Sequence, residues 1–577
     1  MPLCLGFTLA APATIAIDEL RPGMTGFGLS VFAPGGRVDT FAVELVDVMR
    51  NVAPQSDLIL VRCSGQGLEH SGIVAGMSGS PVYFEGRLAG ALAYGWGFAK
   101  DPVGGVTPIA EMLALLDLPD PPPASPRSGV PGPSPGLSAR FAQAGLPARC
   151  AQAGPAGSLP RLRLPLGIAG GSRGLPALAA PLIEEAGFLP VAAGAVPGAG
   201  PRSPGSSFEP GSAVCVLLAD GDFTAAAVGT VTWVEGDRLL AFGHPMFQAG
   251  PAAMPMAPAE VHAVVASYAS SIKLFSPGPP VGTVVQDRAT AISGVVGPAA
   301  PMFPVRVSLA TPGLEREYRY RVARVGPLVP VIAAIGVADV VYATEGVHEE
   351  ATLEADVRLK LAGRPALALR HVFTSRAPAA LLAGTLADRL RLLLENRFEP
   401  VEVESITVAL DLRPGLRRLT ITGARPSRTT VAPGETLSLW LSLRDDAGRA
   451  SSRRFSVTIP PTAPAGRLAL AVSSADSALL RDLSRAQGAA EPRSLAELAD
   501  LLEKTGNEDE LVIAGYSSAP GLALGTRELP AAPPTLLGLL GSGRRLRLAA
   551  ESRLFVVRER LDGVIAGSHE VLLEVKR

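Results

Sequence analysis

The feature that most limits what this chain can become is a break in its middle. DPPPASPRSGVPGPSPG, beginning at Asp120, opens a stretch running to Pro160 that is too rich in Pro, Ser and Gly to pack against anything. Residues 119–161 therefore read as a linker, and what lies on either side has to fold as separate blocks. At 577 residues the chain is well beyond the size at which one core keeps growing, and three to five domains are expected. Hydrophobic residues at 47% and charged residues at 18% exclude disorder throughout. With aromatics at only 5%, the cores must be aliphatic. Gly and Pro, 63 and 54 residues, make up about a fifth of the chain, which suits short strands joined by many turns.

Residues 18–118 read as compact β structure. Phe41, Val43 and Leu45 alternate, and Val82 to Tyr94 carries two strand-like runs around Glu85-Gly86; Ile109 to Leu118 looks like a closing helix. A small strand–helix unit and a second Gly/Pro-rich stretch fill 162–211. Residues 212–310 return to strands, with a turn at Glu235-Gly236-Asp237. Residues 311–400 form an α+β domain whose helix, near Pro378–Asn396, aligns Leu382, Leu386, Leu390 and Leu393 on one face. From 401 to 577, the alternating Ile406, Val408, Leu410 and Leu412, then Leu437 to Leu443, read as an immunoglobulin-like sandwich. A helix interrupts it, with Ser494 and Glu497 as a capping box and Gly506 as its stop.

Several function classes fall away. The formal net charge is −1 and no basic stripe is interleaved with aromatics, so nucleic acid is not the expected partner. Five Lys against forty-seven Arg reads as coding bias. Cys4, Cys63, Cys150 and Cys215 have neither metal-ligand spacing nor the density of a disulfide framework. GMTGFG (Gly23 to Gly28) and GIAGGSRG (Gly167 to Gly174) match no nucleotide-binding fingerprint, and His348-Glu349-Glu350 is not a zinc motif; no metal or cofactor is expected. Residues 1–17, uncharged and largely apolar, resemble the apolar part of a secretory signal lacking its basic start. This reading places the protein outside the cytoplasm, in the periplasm, cell envelope or medium; the alternative is an N-terminal buried strand. No later run reaches the length of a membrane span, the best, Val329 to Ala343, being broken by Asp339.

The sharpest chemical signal is Gly76-Met77-Ser78-Gly79-Ser80-Pro81. A serine hydroxyl is a weak nucleophile. It needs a tight, glycine-permitted turn, a base, and backbone N–H groups aimed at the developing oxyanion. Ser78 is the candidate nucleophile, with the amides of Gly76 and Ser78 as oxyanion donors. Six histidines could supply the base: two strands around a turn deliver Gly243-His244, and His70 lies close to Ser78 in sequence but in a loop-like setting.

The G-x-S-G-x-P pattern resembles the nucleophile turn of trypsin-like peptidases. The longer segment GIVAGMSGSPVYFEGRLAGALAYGWGFAKDP, Gly72 to Pro102, resembles the serine-bearing segment of the stage IV sporulation protein B (SpoIVB) peptidase family, and Arg37 to Val46 resembles the stretch preceding it. GTVTWVEGDRLLAFGHPM, which carries His244, resembles the family's histidine segment, whose histidine is the catalytic base; the resemblance makes His244 the candidate base, with His70 second choice. The resemblance covers roughly 200 residues and implies a trypsin-like double β-barrel built from two separated halves, 18–118 and 212–310. It also implies a protein or peptide substrate and self-cleavage in the linker. One departure matters: in the family the histidine segment comes first, whereas here it follows Ser78, an order that geometry permits.

The orienting acid is open. Where the family carries Thr-Asp-Pro before the serine segment, this chain has Arg62-Cys63-Ser64-Gly65. Asp287 follows His244 within the same half and is the leading candidate, Asp57 and Glu69 are others, and a Ser-His dyad is a further alternative. Two readings follow: a serine endopeptidase acting outside the cytoplasm, or an inactive peptidase-like scaffold that binds at the cell envelope. Oligomeric state is not legible.

Overall fold

The computed structural model describes residues 13–54, 56–118, 160–170, 180–181, 183–184, 186–194, 208–343, 350–485, 492–524, 527–530, 533, 535, 547–549 and 551–576. The expected linker up to residue 159, residues 1–12 of the apolar N-terminal stretch, residues 195–207, Gly171 to Gly174, His348, Cys4 and Cys150 lie outside them. The fold is mainly β and divides into two compact units. Of the described residues, one holds those up to 305 together with 319–339, the other 306–318 and those from 340 onward.

The first unit contains two closed barrels, consistent with a trypsin-like double barrel. The amino-terminal strands are β1 (Thr25–Ser30), β2 (Asp39–Ala53), β3 (Ser56–Ser64), the two-residue β4 (Val74–Ala75), β5 (Pro81–Phe84), β6 (Arg87–Gly95) and β7 (Val103–Pro108). All but β4 close in the order β1-β2-β3-β7-β6-β5. Alternation does what it should: Phe41, Val43 and Leu45 point into a core shared with Ile59, Val82 and Leu92. Glu85 and Gly86 both have positive φ, 52° and 71°, the twist that a two-residue hairpin needs. Ala13 and Ile15 bond to Leu88 at the start of β6, and Ile15 is buried; these residues of the apolar N-terminal stretch therefore sit on the barrel. Of the expected closing helix, Ile109–Leu113 is α-helical.

After β8 (Pro165–Ala169) and β9 (Leu189–Ala192), the second barrel uses β10 (Ala213–Gly221), β11 (Thr224–Glu235), β12 (Arg238–Ala241), β13 (Gly250–Val265), β14 (Ser271–Pro277), β15 (Gly282–Arg288) and β16 (Ala291–Val296). Its ring runs β10-β11-β12-β16-β15-β13 and closes through β10–β13 pairing. The expected turn at Gly236-Asp237 joins β11 to β12. Met256 packs against the ring's glycines, lying where a Cβ on Gly282 or Gly294 would be. The barrels are stitched together by β4, which pairs in parallel with β14.

In the second unit, helix Pro378–Leu394 buries Leu382, Leu386, Leu390 and Leu393 as its spacing requires. Strand Val403–Pro414 pairs with Ala351–Leu361, which pairs in turn with Leu367–Ser375. Its alternating residues were expected in the carboxy-terminal sandwich. Periodicity reports which face is buried and is silent about the partner. Beyond it, a four-stranded and a five-stranded sheet contribute to one apolar cluster that includes Leu437, Leu439, Leu470 and Ile513. Helix Leu495–Lys504 is capped as expected by Ser494, whose hydroxyl accepts from Glu497 N–H, and Gly506 follows with φ +102°. Among the described residues no helix is long and apolar enough to cross a membrane.

Candidate active site

Ser78 sits on a turn between β4 and β5 that is shaped by glycines and held by the other barrel. Gly76 and Gly79 have φ of +101° and +96°, conformations that side chains with a Cβ avoid. At Gly79 the space is closed as well, because a Cβ would lie 2.0 Å from the Thr230 carbonyl oxygen and 2.4 Å from the Phe242 nitrogen. Main-chain groups of the turn are fastened to β11. Thr230 N–H donates to the Ser78 carbonyl at 2.8 Å, Thr230 Oγ1 to the Gly76 carbonyl at 3.0 Å, and Thr232 Oγ1 to the Gly79 carbonyl at 2.7 Å. Alternation along β11 cannot reveal this, since the bonds join residues roughly 150 positions apart.

His244 follows β12 through two residues of left-handed backbone, Phe242 (φ 73°) and Gly243 (φ 69°). A bulky residue in that region carries a strain of about 1–3 kcal/mol. It is held by Phe242 N–H donating to the Thr230 carbonyl and by Thr107 Oγ1 donating to the Gly243 carbonyl. The result brings together the two residues singled out from the sequence: His244 Nε2 lies 3.0 Å from Ser78 Oγ, across 166 positions of chain. His244 Nδ1 lies 2.9 Å from the Pro245 carbonyl oxygen. A carbonyl can only accept, so Nδ1 carries the proton and Nε2 presents its lone pair to the serine hydroxyl. That is the tautomer a general base requires.

Residues 19–113 match the family model described as SpoIVB peptidase S55. The match covers the serine-bearing barrel, and the strand that delivers His244 lies outside it. No curated protein and no solved structure was found to match the chain.

Both members of the pair are buried, Ser78 completely. Burial pulls the imidazole pKa down to about 4, assisted by the charge of Arg161 and opposed by the carbonyls of Pro245 and Leu162. At neutral pH the ring is uncharged.

Asp287 has to be reassigned. Expected as the acid on the imidazole, it is fully buried at the end of β15 and faces the loop after His244 instead. Its carboxylate accepts from Met246 and Phe247 N–H at 2.8 Å each and from Ala249 N–H at 3.2 Å. A loop with several unpaired amides satisfies a buried carboxylate better than one imidazole N–H would. Burial raises the Asp287 pKa and these amides counter it. Asp57 is occupied by Arg50 and Asn51 N–H, and Glu69 by Gly65 N–H; His70 is exposed.

One buried base escaped the sequence reading. Lys273, on β14, is fully buried, packs its stem beside Gly76 and donates to Ser30 Oγ at 2.8 Å. Ser30 Oγ also accepts from Ser80 Oγ at 3.1 Å. Desolvation pulls the Lys273 pKa down to about 7. A lone lysine in KLF between apolar residues resembles any strand residue, so only the fold exposes it. Among the described residues no group of His, Cys, Asp and Glu is placed to hold a metal ion.

Proposed function

We propose that the chain is a SpoIVB-type serine endopeptidase acting on protein substrates outside the cytoplasm. Ser78 is the nucleophile and His244 the general base. What carries this reading is the 3.0 Å approach of Nε2 to Oγ, with Nδ1 committed to a carbonyl. Ser78 Oγ attacks the substrate carbonyl carbon while its proton passes to Nε2. The tetrahedral oxyanion is met by the amides of Ser78 and Gly76, and the proton returns to the leaving amine as the C–N bond breaks. Water then repeats the sequence on the acyl-enzyme.

The Pro245 carbonyl does the orienting, so the centre works as a dyad, with no carboxylate hydrogen-bonded to the imidazole among the described residues. Asp287 acts at one remove by fixing the 246–249 loop. We extend the reading to self-processing in the linker, to residence at the cell envelope, and to an immunoglobulin-like sandwich at the carboxy terminus that binds an envelope component.

A second reading is favoured by one observation, the complete burial of Ser78: an inactive scaffold that keeps the framework and binds without cutting. A fluorophosphonate probe separates the two. Labelling of the wild type that vanishes in both Ser78→Ala and His244→Ala supports the peptidase; folded wild type that stays unlabelled after prolonged exposure supports the scaffold.

A further inference from the structure

What covers Ser78 is informative. β5 pairs with β6 only as far as Ala91, opposite Pro81. Beyond that point the same edge of β6 meets the nucleophile turn, with Gly79 N–H donating to the Leu92 carbonyl at 2.8 Å and Leu92 N–H to the Ser80 carbonyl at 2.9 Å. The next positions on that edge, Ala93 to Gly95, would be open. They are taken by residues 160–162, which run antiparallel with Arg161 opposite Tyr94. Leu162 N–H donates to the Ala93 carbonyl at 2.9 Å, and Gly95 N–H donates to the Pro160 carbonyl at 3.2 Å.

An extended segment that adds itself to a sheet edge in this way is a common mode of peptide recognition, with main-chain bonds for grip and alternate side chains for selection. Here the alternation is clear. Arg161 is exposed, while Leu162 is buried and joins the barrel core. The space Leu162 fills exists because residue 95 is glycine: a Cβ there would lie 2.7 Å from Leu162 Cδ2 and 3.4 Å from Ile73 Cγ2. The Leu162 carbonyl is also near enough to the His244 ring to raise its pKa. Main-chain pairing beside the nucleophile, a side chain in an apolar pocket and a carbonyl at the base describe how a peptide would be presented for attack.

We propose that residues 160–162 occupy the groove meant for substrate as an internal pseudosubstrate, with Leu162 in the pocket that reads the residue before the cleaved bond. The inference rests on the peptidase reading and adds two things to it: a preference for a Leu-sized aliphatic side chain at that position, and a resting state closed by the enzyme's own chain. It also accounts for the burial of Ser78 without invoking a dead site. An occupant tethered to the enzyme competes at a high effective concentration, of millimolar order for a short tether, so external substrate has to displace it.

The test is the rate at which a fluorophosphonate labels Ser78 in the full chain. Leu162→Asp puts a charge into an apolar pocket, and Leu162→Gly empties it with less risk to folding. Each should label about tenfold faster than wild type or more, while Leu162→Met should keep the wild-type rate. On Leu162→Gly, acetyl-Pro-Arg-Leu-amide should slow labelling again, and acetyl-Pro-Arg-Asp-amide should not. If wild type, Leu162→Gly and Leu162→Asp all label Ser78 at one rate, the pseudosubstrate is overturned and the peptidase stands. If the tripeptides compete equally, the Leu-selective pocket is overturned. If no folded variant labels, the peptidase reading falls and this inference with it.

Discussion

Each of the two units buries a histidine, and each histidine has what the other lacks. His244 faces a serine hydroxyl through Nε2 and a main-chain carbonyl through Nδ1. His371, in the second unit, has the carboxylate: Glu508 Oε1 lies 2.9 Å from its Nδ1. Its Nε2 is buried without a hydrogen-bond partner among the described residues. Glu508 also accepts from Val372 N–H at 2.7 Å, and the His371 ring fills the space where a Cβ on Gly506 would be. A histidine–carboxylate pair thus serves packing and turn geometry in one unit, while in the other, among the described residues, a histidine with no carboxylate hydrogen-bonded to it faces a serine hydroxyl. The tautomer, fixed by any acceptor on Nδ1, and a nucleophile on Nε2 define the catalytic candidate; the acid is an addition.

The most direct way to break this contrast is to remove its members. Ser78→Ala or His244→Ala should cost peptidase activity by a factor of about 10⁴ to 10⁶, the scale on which joint nucleophile–base machinery is lost. His371→Gln should leave the rate of Ser78 labelling unchanged. Equal loss in His371→Gln and His244→Ala, measured as kcat/KM on a Leu-containing peptide, would erase the distinction.

The next largest effect concerns Asp287. If it only ties down residues 246–249, Asp287→Asn should lower kcat/KM by about tenfold and stability by about 1–3 kcal/mol, through buried amides left without acceptors. An acid acting directly on the imidazole would instead cost about 10⁴ in kcat. Measuring kcat and the denaturant midpoint on the same variant separates the two roles.

The sequence was legible where a residue is demanded by local backbone. The Ser78 turn shows in Gly76 and Gly79 because positive φ selects glycine, and the β5–β6 hairpin shows in Glu85-Gly86 for the same reason. His244 was reachable through the resemblance of its segment, two strands around Gly236 followed by Gly-His, to the family's histidine segment. What stayed hidden depends on which distant groups meet. Asp287 was placed in the correct half with the wrong partner, strand Val403–Pro414 was given the correct faces and the wrong neighbours, and Lys273 and residues 160–162 were not assigned to the site. Pairing choices of this kind are settled by tertiary packing, on which periodicity carries no information.

A smaller effect probes the environment of His244 by pH. Burial holds His244 near pKa 4, so its base form persists well below neutrality. In the wild type the acid limb of Ser78 labelling should fall near pH 4. In Leu162→Gly, where water reaches the ring and the Leu162 side chain is gone, the limb should move upward toward the ordinary value near 6.5. Glu508→Gln should shift neither limb and should cost about 1–2 kcal/mol of stability. A limb near 6.5 in the wild type would mean that the ring is already hydrated.

The least of the expected effects tests whether the contrast extends to charge. His371 has Glu508 beside it, whereas among the described residues Lys273 meets a hydroxyl, Ser30 Oγ, and the face of Phe32 at 5.6 Å. Its folded pKa of about 7 lies below the ordinary lysine value of about 10.4. Between those two values the unfolded chain holds more protons than the folded one, so stability should rise with pH across the window and be lost as pH falls toward 7. Lys273→Met keeps the stem beside Gly76 and removes the charge. The wild-type denaturation midpoint should therefore climb between pH 7 and pH 9, and in Lys273→Met that climb should flatten while the midpoint at pH 7 is equal or higher. A climb of the same size in both proteins would mean that Lys273 stays charged when folded, with a counter-charge or water beside it, and the serine turn would then be as well compensated as the pocket of His371.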